Sequence, residues 1–170
     1  MKKILTLILI SFFIGSCKTS ERKPKSNSDE LQKRILGNVM GLNRLELTAS
    51  FDECGEWGGH DEKFDIYREN KILFAEYVED IVDCKDPYAE NRKIAELKTL
   101  RLNETHEKAI VQYLNSLLEI GLKMELPFHA GTYYSAVMND STMILKYHSV
   151  NSSWNEYEKL KAELLKISAY

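Results

Sequence analysis

Residues 63–84 read KFDIYRENKILFAEYVEDIVDC, and this stretch decides the architecture. It is rich in β-branched and aromatic residues on both sides of the polar break Arg68-Glu69-Asn70, which predicts two strands around a turn. Strands joined by so short a turn must pair antiparallel. Upstream, RLELTASF (44–51) alternates strictly: Leu45, Leu47, Ala49 and Phe51 fall on one face, Arg44, Glu46, Thr48 and Ser50 on the other. That is the pattern of a half-buried strand. Downstream, RKIAELKTLRL (92–102) reads two ways. Asp86 and Pro87 could cap and open a helix across 88–102, but TLRL before a polar break favours a strand end, and strand is the preferred reading.

The second half carries the helices. Asn103 is placed to cap ETHEKAIVQYLNSLLEIG, in which Ile110, Tyr113, Leu114, Leu117 and Leu118 keep helical spacing and Gly121 stands where a C-terminal cap belongs. Residues 131–149, GTYYSAVMNDSTMILKYHS, read as two strands around NDST. Ser153 and Glu156 have capping-box spacing ahead of an apolar stripe of Tyr157, Leu160, Leu164 and Ile167. The expected class is α+β: an antiparallel sheet of five to six strands with two amphipathic helices packed on one face.

The N-terminus speaks to location. MKKILTLILISFFIGSC has two lysines, an apolar run from Ile4 to Ile14 broken only by Thr6 and Ser11, and small residues running into Cys17. This is the form of a secretory signal, too short to span a bilayer permanently. The end of the run, IGSC, resembles the lipobox of bacterial lipoproteins. The resemblance implies cleavage before Cys17, diacylglycerol on its sulfur and a further acyl chain, such as palmitate, on its amine. Together with lysine- and asparagine-rich composition and the segment CGEWGGH (54–60), it is similar to small lipoproteins of Bacteroidetes-type bacteria. The implied organisation is a signal peptide over 1–16, the lipidated Cys17 with a flexible tether over 17–28, and one globular domain over 29–170. The tether reading rests on KTSERKPKSNSDE, which has no large apolar residue with which to order itself. In surface-displayed lipoproteins acidic residues often follow the lipidated cysteine. Here KTSERK is basic, which favours the periplasmic face of the outer membrane over the cell surface.

Without Lys2 and Lys3 the chain keeps 21 basic against 26 acidic side chains, and such an acidic balance excludes a general attraction for nucleic acid. Once Cys17 is lipidated, Cys54 and Cys84 remain. An even pair in an oxidising envelope predicts a disulfide that ties strand ends around a hairpin. Three of the eight glycines, Gly55, Gly58 and Gly59, cluster directly after the first strand, as a tight turn with positive φ would require. Trp57 reads first as packing over the disulfide and otherwise as an exposed aromatic contact; with His60 and Glu62 it makes up the candidate binding residues. His60, Asp61 and Glu62 also invite a metal reading. Adjacent residues on an extended chain point alternately to opposite sides, so at most two of the three reach one ion, and no paired-histidine spacing supports them. No metal site is therefore assigned, and no cofactor beyond the covalent lipid on Cys17. There is no nucleophile elbow, P-loop or dinucleotide fingerprint, so no catalytic residue is named either. The expected function is a membrane-anchored binding module for an envelope protein, a toxin or a cell-wall component. The alternative is a small metal-dependent envelope hydrolase using the His60 region.

Overall fold

A computed structural model describes residues 30, 33–55, 59–85, 93–123, 131–149 and 154–166. The expected signal segment (1–16) and tether (17–28) with Cys17, and Trp57, Gly58, Asp86, Pro87, Ser153 and Ile167, all lie outside them. Six strands form one open antiparallel sheet: β1 (Leu45–Ser50), β2 (Asp61–Glu69), β3 (Ile72–Ile81), β4 (Lys93–Arg101), β5 (Thr132–Met138) and β6 (Ile144–Ser149). Helix α1 (Glu104–Gly121) joins β4 to β5, and α2 (Glu156–Leu165) follows β6. The spatial order is β4-β3-β2-β1-β5-β6. The first four strands run as a meander, and the β5–β6 hairpin then returns to the other side of β1. The ambiguous segment 92–102 is a strand over 93–101, paired antiparallel with β3.

Each strand contributes alternate residues to the core. Leu45, Leu47 and Ala49 of β1 face the same side as Phe64 and Ile66 of β2, Ala75 and Tyr77 of β3, and Tyr134, Ala136 and Met138 of β5. Both helices pack on this face. Tyr157 of α2 is fully buried, with its ring 6.2 Å from Phe64, 6.0 Å from Tyr113 of α1 and 5.9 Å from Tyr134. Burying side chains of this size is worth roughly 1.5–3 kcal/mol each, which makes the stripe on α2 its attachment to the sheet.

The ends of several elements differ from the sequence expectation. The β2–β3 turn is centred on Asn70 and Lys71, both at positive φ (48° and 68°), so Arg68 and Glu69 remain in β2. Two consecutive left-handed residues make the turn whose twist matches the strands it joins. Arg68 braces it, donating to the carbonyls of Lys71 (3.1 Å), Val39 (3.0 Å) and Leu36 (2.9 Å). In α1 the Asn103 cap forms as expected, its side chain accepting from the backbone N–H of His106 at 3.0 Å while His106 Nδ1 accepts the Asn103 N–H. Gly121, however, is the last helical residue and the cap falls on Leu122. A Cβ at Gly121 would lie 3.2 Å from the carbonyl of Lys146, so close passage over β6, not a left-handed cap, explains the glycine. Leu118 is 44% exposed and lies outside the core. Helix α2 begins after Asn155, which makes Glu156 its first residue and moves it out of the expected capping-box position. The NDST turn stands as read: Asp140 Oδ1 accepts from the N–H and the hydroxyl of Thr142 at 3.0 and 2.7 Å.

Candidate functional site

The loop between β1 and β2 is shaped by four constraints. Cys54 and Cys84 form the expected disulfide, which fastens this loop to the end of β3, on the far side of β2 from β1. Gly55 takes φ +66°, as the cluster of glycines suggested. Gly59 does not have a positive φ; instead a Cβ there would lie 2.5 Å from the Phe51 carbonyl and 2.8 Å from the Glu53 nitrogen. Finally, the Phe51 ring stacks on the His60 imidazole, with centroids 4.4 Å apart and planes 9° from parallel. The loop thus folds back on itself and holds His60 at the entrance to β2.

From there the pleat does the positioning. His60 and Glu62 are two apart and share a side, while Asp61 turns away and its backbone N–H donates to Asp80 Oδ1 at 2.6 Å. Glu79 of β3 lies directly opposite Glu62 in the register, so a second carboxylate joins the same face. Lys161 reaches them from α2, one turn beyond Tyr157. Its Nζ donates to Glu62 Oε1 at 2.7 Å and to Glu79 Oε2 at 3.1 Å. Tyr77 donates its hydroxyl proton to Glu79 Oε2 at 2.6 Å. Glu53 pairs with His60 Nδ1, and the opposite ring nitrogen, Nε2, is 3.1 Å from Glu62 Oε1. Six ionisable groups from the loop, two strands and a helix therefore meet at one end of the sheet.

Burial sharpens their electrostatics. The Glu62 side chain is only 5% exposed, and its Oε2 has no hydrogen-bond partner among the described residues. The Tyr77 hydroxyl bond holds the Glu79 carboxyl below its ordinary value; burial opposes this and the Lys161 ammonium adds to it. Burial works against the charge on Lys161, yet the two glutamates outweigh it and raise the ammonium above its usual range. The Tyr77 phenol is pushed well up by burial and by the adjacent carboxylates, so it stays a proton donor. The arrangement can bind a cation between carboxylates, or hold an imidazole in a fixed orientation.

Compared with known protein families, with curated proteins and with solved structures, the chain matches none of them. The site's chemistry is therefore its own witness.

Of the three candidate binding residues, the structure brings His60 and Glu62 together, and Trp57 lies outside the described residues. Glu62 is buried, with 5% of its side chain exposed. Glu53, Tyr77, Glu79 and Lys161 were missed by sequence reasoning. A signal existed for Glu79, of the same kind as for Glu62. Glu62 is in phase with Phe64 and Ile66, and Glu79 with Leu73, Ala75 and Tyr77, so each puts a charge on a strand's buried face. The remaining described histidines stand elsewhere: His106 in the α1 cap, where burial lowers its pKa, and His148 on the opposite face of the sheet. A hollow of about 450 Å³ bounded by Leu36, Gly37 and Arg68 is less suited to chemistry, since Arg68 and Lys108 on its rim are already paired.

Proposed function

We propose that this chain is an outer-membrane lipoprotein, anchored through lipid on Cys17 and facing the periplasm, whose domain binds a second envelope protein. The observation that carries the binding reading is the second face of the sheet. Across β2, β3 and β4 it presents Tyr67, Phe74, Val78 and Leu97, neighbours in the register, among Lys63, Asp65, Glu76, Thr99 and Arg101. Tyr67 and Phe74 stack at 5.7 Å, and the Arg44 guanidinium sits 4.5 Å over the Tyr67 ring. Among the described residues no helix packs on this face, and Leu97 is 57% exposed. An uncovered sheet face with aromatic and arginine anchors among mixed charges has the composition of a protein-binding surface. Small-molecule sites are concave, so a macromolecular partner fits better.

Burial supports the same reading. Asp65, on the same face, is part-buried, and desolvation raises its pKa in spite of Arg44 at 3.1 Å. A photo-crosslinking side chain placed at Val78 or Leu97 in living cells should capture one envelope protein, and the same group at Gln112 on α1 should not. Equal capture from both sides, or none from the sheet, rejects the binding face. The anchor is tested separately: Cys17→Ser should leave membrane pellets or accumulate as uncleaved precursor, and normal processing with membrane retention rejects it. The hydrolase alternative requires a bound metal before anything else.

A further inference from the structure

We propose that His60, Glu62 and Glu79 form a binding site for a divalent transition-metal cation of the zinc class, from which Lys161 is displaced when the ion binds. One ligand atom from each of the three lies within 4.8 Å of the others. His60 Nε2 and Glu62 Oε1 are 3.1 Å apart, close to the spacing of about 3.4 Å between neighbouring ligands of a tetrahedral zinc with bonds near 2.1 Å. Glu79 closes the remaining distance by a side-chain rotation.

Two features beyond the cluster's composition point to a cation. The first is Glu62. Its side chain is 95% buried, its Oε2 has no partner among the described residues, and the nearby Tyr77 hydroxyl spends its one proton on Glu79. A buried carboxylate oxygen without a donor is costly, and a second positive charge at this point relieves it. The second is the orientation of His60. Glu53 holds Nδ1, so a neutral imidazole directs the bare lone pair of Nε2 at a carboxylate oxygen. Two acceptors face each other unless a cation or an extra proton stands between them. A carboxylate on the far nitrogen of a ligating histidine is also the usual outer support of a zinc site.

Lys161 supplies one positive charge to two glutamates, and its side chain is 29% exposed on a flexible stem. It can swing toward solvent, leaving the two carboxylates to neutralise a divalent ion. Three protein ligands leave one position for water. A cation here also meets the first requirement of the hydrolase alternative, without depending on the partner-binding face.

The test is a zinc titration of the purified protein, previously stripped with a chelator, followed by calorimetry and by melting temperature. One ion per chain is expected. His60→Gln should abolish that binding, Glu53→Gln should weaken it by about 10–100-fold, and His148→Gln should leave it unchanged. Lys161→Met provides the decisive arm. It should melt below the wild type without metal, because two glutamates lose their counter-ion, and zinc should restore the loss. Absence of one-to-one binding, binding indifferent to His60→Gln, or a Lys161→Met protein that zinc does not restore would overturn the proposal and leave an ion-pair cluster only.

Discussion

Gly59 shows how one residue's role changes once its neighbours are known. The glycine cluster suggests positive φ, and Gly55 bears this out, but Gly59 is held by lack of space. Gly59→Ala should therefore cost roughly 1–3 kcal/mol, since backbone atoms of Phe51 and Glu53 cannot give way as a flexible side chain would. Gly55→Ala should cost about 1–2 kcal/mol for a different reason, the left-handed backbone. Gly37→Ala, with open space around the added carbon, serves as the control and should stay within about 0.5 kcal/mol of wild type. Denaturant midpoints of the three proteins check the order. At the site, His60 and Glu62 were legible because two positions separated by one residue share a face. Glu79 and Lys161 are separated from Glu62 by 17 and 99 positions, and no local periodicity joins them.

Turns and caps belong to the scale of elements, where the sequence was read well in kind and less well in position. The β2–β3 hairpin was recognised from its polar break, yet its centre is Asn70-Lys71 and not Arg68-Glu69-Asn70. The cause is Arg68. A residue that looks like turn chemistry is in fact a strand residue on the core side whose guanidinium satisfies three carbonyls. Lys71 at φ 68° adopts a conformation that glycine reaches without steric cost. Lys71→Gly should then raise stability by about 0.5–1 kcal/mol, the relief of left-handed strain less the greater chain entropy of glycine. The Arg68 bond to the residue-71 carbonyl survives this change, so thermal melting reads the backbone term alone. A fall in melting temperature would show that the lysine side chain contributes more than its backbone loses.

The whole molecule depends on how the six strands are ordered. The disulfide closes a separation of 30 residues and joins the β1–β2 loop to the end of β3, across β2. Replacing Cys54 and Cys84 together by serine should cost roughly 3–4 kcal/mol in denaturant unfolding, the chain-entropy value for a loop of this length. Reduction of the wild type should reproduce that loss, and a change below about 1 kcal/mol would mean that packing alone holds the loop. Because Glu53 precedes Cys54, the double variant should also loosen the carboxylate that orients His60.

Local pattern was enough to read most element types, the hairpins, the Asn103 cap, the α+β class and the cysteine pair. Each depends on features within a few residues, or, for the cysteines, on the expectation that lipid on Cys17 would leave Cys54 and Cys84 to pair. Period-two alternation selects a strand, 3.6-residue spacing selects a helix, and a capping side chain reaches only three positions along. Tertiary structure alone decided that β5 pairs with β1, which places β1 inside the sheet and not at its edge. It alone set Glu62 against Glu79 and brought Lys161 over both. These are outcomes of register and helix docking, in which residues far apart along the chain compete to cover the same apolar face. The core pays for the site: burying Phe64, Tyr77 and Tyr157 side by side draws two glutamates and a lysine into one partly dry corner.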